Sequence, residues 1–227
     1  MSEAKNKSST SNTNKNKTSY ISVPQRLIYD KSKGMCTKAK YLYIILKKHS
    51  ANNIVKIKYS NLMESLKWTD NRTLKRYLIV LNNFGYIEYK IDSTRIYSDN
   101  VLELKIVNIK PFILLAREVV EKGLKYDKES YSREKGIIYL YLMEDKYNEE
   151  WGYACPNRKE ISDIIGLNNG SVTDIIKYYH DKFLCEHYRG WKNEETGDMI
   201  RSRYLVNNIS KDGNSRYKKH KRKEYFT

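Results

Sequence analysis

Apolar and polar positions along the chain follow two periods, which exchange in a fixed order. Thr37–His49 ("TKAKYLYIILKKH") has apolar residues at helical spacing and predicts a helix. "IVKIKY" reads as a short strand and "SNLMESL" as a short helix, with Ser60 as its cap and Glu64 near its first turn. "KWT" is a turn. Asp70 or Thr69 then caps a longer helix to about Asn82, on which Leu74, Tyr77, Leu78 and Leu81 share one side. Gly85 stops it, and "YIEYKI" and "NVLELKIV" read as strands joined by a polar hairpin.

The same order recurs downstream. "YSREKGIIYLYLMED" predicts a helix, "NRKEISDII" a short helix, "GLNN" a turn ending at an Asn cap and "GSVTDIIKYYHDK" a longer helix. "FLCEHYRGW" and "MIRSRYLVNN" read as strands around "KNEETGD". Between the halves, Pro111–Gly123 ("PFILLAREVVEKG") reads as a linking helix with proline in its first turn. Its Phe112, Ile113, Leu114 and Leu115 cover more than one side, which predicts packing between domains or at a dimer seam. The expected boundaries are a disordered polar tail over 1–19, a first domain over 20–110, a linking helix and linker over 111–130, a second domain over 131–210 and a basic tail over 211–227.

Composition adds a partner. At 227 residues with 40% hydrophobic content, the chain can build a packed core, and its net charge of +16 calls for an acidic partner. The charge is uneven. Tyr20–Lys110 carries 17 Lys and Arg against 7 Asp and Glu, a net +10, whereas Pro111–Ser210 carries 15 against 17, a net −2. A membrane is not expected, because apolar runs such as Tyr41–Leu46 and Phe112–Ala116 are too short to span one. A polar N-terminus predicts no signal peptide, and three unevenly spaced cysteines suit a reducing compartment, so the expected location is cytoplasmic. The 21 tyrosines fit AT-rich coding better than any tyrosine chemistry.

Helix, short helix, turn, helix and hairpin is the order of a winged helix-turn-helix. "SNLMESLKWTDNRTLKRYLIVLNNFGYIEYK" resembles that superfamily. With "ISVPQRLIYDKSKGMCTKAKYLYIILKKH" upstream, it is similar to the N-terminal domains of replication initiators and regulators from Gram-positive plasmids, phages and integrative elements. The resemblance covers about Tyr20–Val107, and more loosely Tyr131–Asn208. It implies a mainly α fold with small β-hairpin wings, an α+β chain of tandem winged helix-turn-helix domains with disordered basic tails.

In such a fold the second helix enters the major groove with its N-terminal residues at the base edges. Asn71, Arg72, Thr73, Lys75 and Arg76 take those positions, and Arg95 in the hairpin would reach a minor groove or phosphate. The plain alternative is a solvated helix face. On the second long helix Val172, Ile175, Ile176 and Tyr179 are core, while Thr173, Asp174, Lys177 and Asp181 face outward. Two carboxylates there would repel phosphates. That half is left to form a homodimer, to recruit replication or transcription machinery, or to read DNA weakly through Ser171, Thr173, Lys177, Arg201 and Arg203.

Catalysis is not expected: the sequence has no histidine pair of the rolling-circle type, no His-x-x-Arg and no phosphate-binding glycine loop. Nor is a cofactor or metal. Cys155, His180, Cys185 and His187 are zinc-ligand types but lack Cys-x-x-Cys spacing. The expected function is sequence-specific binding of double-stranded DNA by a transcriptional regulator, with a replication initiator as the alternative and a protein-binding winged-helix adaptor as a further one.

Overall fold

The computed structural model describes residues 19–90, 100–125, 133–182, 184–192, 194–199 and 201–208. The first half runs β1 (Tyr20–Pro24), α1 (Gln25–Tyr29), α2 (Thr37–His49), β2 (Ile54–Lys58), α3 (Tyr59–Leu66), α4 (Asn71–Asn83), β3 (Ile87–Glu88) and β4 (Val101–Ile106). The second runs β5 (Phe112–Ala116), α5 (Arg117–Leu124), α6 (Arg133–Asp145), β6 (Tyr147–Asn148), β7 (Tyr153–Ala154), α7 (Arg158–Ile165), α8 (Asn169–Asp181), β8 (Cys185–Tyr188) and β9 (Arg203–Val206). The result is a mixed α+β fold with small antiparallel sheets. One sheet has the order β2-β4-β3 and another β6-β7-β9-β8. In both, the last strand of the half lies between the strand before the short helix and the strand after the long one. The halves therefore repeat one topology, with β6 added in the second.

The expectation of a helix from Pro111 is corrected. Phe112–Ala116 is a strand, antiparallel to β1 in the register Tyr20↔Ala116 to Pro24↔Phe112, and a helix starts only at Arg117. Ile113 and Leu115 are buried while Leu114 is exposed, which is the two-residue period of a strand. The partner that selects this conformation lies some ninety residues upstream, out of reach of any local pattern. Asn208 closes the outer edge: the Ala116 N–H donates to its Oδ1, and its Nδ2 donates to the Leu114 carbonyl, each at 2.9 Å.

Two caps also differ from expectation. Helix α3 begins at Tyr59 behind Lys58 with no side-chain cap, so Ser60 lies inside it. Helix α8 is capped by Asn168, whose side chain accepts from the Ser171 N–H, one residue earlier than expected.

The core centres on α2 and α6. Ala39–Leu46 and Gly136–Met143 are each buried at every position, as expected of helices that are surrounded rather than laid on a surface. The two pack on each other, and one continuous apolar cluster joins both halves. Tyrosines carry much of it: Tyr41, Tyr43, Tyr86, Tyr139, Tyr141, Tyr179 and Tyr204 lead the largest fully buried side chains. Polar ties between the halves match. Gln25 Nε2, at the start of α1, donates to Asp145 Oδ1 at the end of α6 (2.9 Å). Arg117 Nη2, at the start of α5, donates to the Lys48 carbonyl at the end of α2 (3.1 Å), where a cation suits the helix dipole. Among the described residues, no helix is long and apolar enough to cross a membrane.

Candidate nucleic-acid interface

Helix α4 is built to hold one face inward. Leu74, Leu78 and Leu81 are fully buried, and Tyr77 is half-buried with its ring centroid 5.8 Å from that of Trp68. Trp68 fills the turn before α4, and its Nε1 donates to Glu134 Oε1 of α6 at 3.2 Å, so the second half helps fix that turn. The start of α4 is fixed by Asp70. Its Oδ1 accepts from the Arg72 N–H (2.9 Å), and its Oδ2 accepts from the Thr73 N–H (3.2 Å) and hydroxyl (2.7 Å). The Thr73 hydroxyl, then the Arg72 N–H, hold the Asp70 carboxyl below its usual range, so the cap is ionised at neutral pH. The helix ends at Gly85, whose φ of +69° suits glycine, while the Tyr86 N–H returns to the Leu81 carbonyl at 2.9 Å.

This frame leaves Asn71, Arg72 and Arg76 exposed and Thr73 and Lys75 half-buried. Arg72 and Arg76 are four residues apart and share a face with Lys75 between them. No acidic residue occurs within α4, and among the described residues no salt bridge engages Arg72, Lys75 or Arg76. The neighbouring sheet differs: Lys56 pairs with Glu103 at 3.5 Å and Lys105 with Glu88 at 3.2 Å. The N-terminal half of α4 thus groups three cations without a salt bridge among the described residues; the Asp70 carboxylate meets the helix dipole and attracts Arg72, and the Arg76 guanidinium lies 5.8 Å from the centre of the Tyr77 ring. Thr73 has a prior commitment, since its hydroxyl proton serves Asp70. Ile79, outward on the helical wheel, is half-buried. Arg95 lies outside the described residues.

Helix α8 occupies the matching place in the second half but presents different chemistry. Asp174, Lys177 and Asp181 are exposed and Ser171 is half-buried. The Thr173 hydroxyl donates to the Asn169 carbonyl and accepts from Arg158 Nη1, both at 3.1 Å, which leaves it little to offer a base. Arg158, on α7, carries no signal of this role in the sequence. It supplies the α8 surface with a cation that only the packing of α7 against α8 reveals. Arg201 is exposed, whereas the half-buried Arg203 lies over aromatic rings, 5.3 Å from the centre of Tyr153 and 5.6 Å from that of Trp191. The structure therefore separates the proposed second-half residues into the helix face and this aromatic group at the end of the sheet.

Three of the four zinc-type residues, His180, Cys185 and His187, serve other contacts, and Cys155 is a half-buried free thiol. The Cys185 thiol is buried 3.5 Å from the Tyr139 hydroxyl, the His187 ring stacks on Tyr204, and the His187 N–H donates to His180 Nδ1 at 3.1 Å. Among the described residues, no group of three or more His, Cys, Asp or Glu is arranged to hold a metal. Comparison with family models, with curated proteins and with solved structures finds no match for the chain.

Proposed function

We propose that the chain is a sequence-specific double-stranded DNA-binding protein built from tandem winged helix-turn-helix units, with α4 as the recognition helix. The observation that carries this reading is the Arg72–Lys75–Arg76 face, which makes no salt bridge among the described residues, beside an N-terminus fixed by Asp70. Each arginine can offer guanine O6 and N7 two donors, Asn71 can pair with adenine, and Lys75 suits a phosphate. A solvated helix would satisfy the same core. What favours the DNA reading over it is three cations grouped at the N-terminal half of the helix that holds the recognition position, with no acidic residue on that helix.

The matched strand orders support a wing beside each long helix, and the shared core supports both halves acting as one body. The acidic positions on α8 favour self-association or recruitment as the part played by the second half. We assign transcriptional regulation by recruitment or blockade as the role. Replication initiation for a plasmid, phage or integrative element is the alternative favoured by the sequence resemblance, and iterated binding sites beside an origin would mark it. The test of duplex recognition is competition. A duplex selected from a random pool should stay bound in excess random DNA; loss of all binding to competitor would favour a protein-binding adaptor instead.

A further inference from the structure

Trp151 and Trp191 are 59% and 51% exposed, unusual for large aromatics in a chain that buries so many tyrosines. Both belong to one group. Trp151 stands 6.4 Å from Tyr153 between ring centres, and the Arg203 guanidinium spans from Tyr153 to Trp191. A cleft of about 260 Å³ opens here, lined by Trp151, Tyr153, Cys155, Arg201 and Arg203. Trp151 is held in place by its turn: its N–H donates to Asn148 Oδ1 at 2.9 Å, and the Gly152 N–H donates to the Asn148 carbonyl at 2.8 Å. The equivalent turn of the first half, Ala51–Asn53, has no aromatic residue. The two halves have diverged at this point.

We infer that this cleft binds an unpaired nucleotide of a single strand, with the base stacked against Trp151 and Tyr153 and its phosphate met by Arg201. The inference rests on the nucleic-acid reading but not on α4. In a duplex the base faces are covered by their neighbours, so only an unpaired base can present the flat surface these rings match. A proline-rich peptide would also suit an aromatic rim, but it would bring no anion to the exposed Arg201 guanidinium. A nucleotide joins a flat ring to an anion within one residue, and the lining of this one cleft supplies both aromatic rings and the Arg201 cation. Glu149, Glu150, Glu194 and Glu195 flank the two tryptophans in the sequence, so the contact is confined to one or two phosphates and cannot be an extended basic groove.

The test uses the full chain and a labelled ten-residue oligothymidylate, followed by fluorescence anisotropy and by tryptophan quenching. A phosphodeoxyribose strand of equal length without bases is the comparison. The oligothymidylate should bind and quench, and the baseless strand, held by phosphate contacts alone, should bind more weakly and leave the tryptophan emission unchanged. The Trp151→Ala/Trp191→Ala variant should bind it on the order of ten- to a hundred-fold more weakly, with affinity for the selected duplex unchanged. Arg201→Ala should flatten the slope of log affinity against log salt by about 0.7, one phosphate's share on a single strand. Equal binding of the baseless strand, an unaltered double-alanine variant, or saturable binding of an oligoproline peptide in place of oligothymidylate would overturn the inference. Failure of duplex selection with oligothymidylate binding intact would instead remove the α4 reading and leave this one standing.

Discussion

Gly136 lets α6 and α8 approach closely, and adding a methyl there should expose how tightly. A Cβ on Gly136 would lie 2.4 Å from the Tyr179 hydroxyl oxygen and 3.2 Å from two carbons of its ring. The first distance is impossible without movement, and the Tyr179 ring has little room because it stacks on Tyr139 at 5.7 Å. Two effects compete in Gly136→Ala. Alanine improves helix propensity by up to about 1 kcal/mol, while overpacking costs about 1–3 kcal/mol. The clash should prevail by about 1 kcal/mol, lowering Tm by roughly 2–4 °C for a chain of this size. In a Tyr179→Phe background the hydroxyl is gone and only the 3.2 Å contacts remain, which a shift of a few tenths of an ångström relieves. Gly136→Ala should then be neutral or stabilising, giving a coupling of about 1 kcal/mol or more between the sites. Denaturant unfolding of the four proteins measures this cycle. An equal cost in both backgrounds would refute the close approach of α6 to α8.

Burial pushes the Lys40 ammonium down to about 8, against the pull of Asp30. From about pH 8 toward 10 the unfolded chain holds a proton the folded chain has released, so this group makes stability rise with pH. The stability difference between Lys40→Met and the parent should therefore shift in the parent's favour between about pH 7 and 9.5, and a constant difference would contradict the assignment. Because β1 pairs with β5 and α2 packs on α6, the full chain should unfold in one transition, and a fragment ending at Lys110 should not unfold cooperatively; calorimetry showing two transitions, or a cooperatively folded fragment, would argue for independent halves. Deleting 211–227, with 7 basic and 2 acidic residues, should weaken specific and random duplex binding by similar factors and reduce the salt slope by about 0.9 for each phosphate that the tail no longer neutralises. Weakening confined to the specific site would give the tail another role.

Local signals in the sequence predicted local structure well. The Asp70 cap, the Leu74–Leu78–Leu81 stripe and the stop at Gly85 are carried by neighbouring residues, and α4 follows them closely. What failed was one element that depends on a distant partner and one helix boundary. Phe112–Ala116 satisfied a helical pattern until β1 supplied its hydrogen bonds, and the capping hydroxyl expected at Ser60 was not needed once α3 began at Tyr59. At the candidate interface, sequence placed the α4 cations but could not show that Thr73 serves Asp70 or that Thr173 serves Arg158. Nor could it join Trp151 to Arg203 across fifty residues, since only the pairing of β7 with β9 brings those stretches together. Among the described residues, eight of the chain's 21 tyrosines are buried in the core, a placement that follows from the packing and not from their abundance.

The central claim is that α4 reads base edges, and selection from a random duplex pool tests it most directly. The parent protein and an Arg72→Ala/Arg76→Ala variant are each taken through selection, and their affinities for the parent's preferred site are measured at one fixed salt concentration. The parent should enrich a defined site. Removing an arginine bidentate to guanine should relax the preference at its base pair and cost about 1–3 kcal/mol for each such pairing. Identical enriched sites with unchanged affinity in the variant, or no enrichment by the parent, would contradict the account.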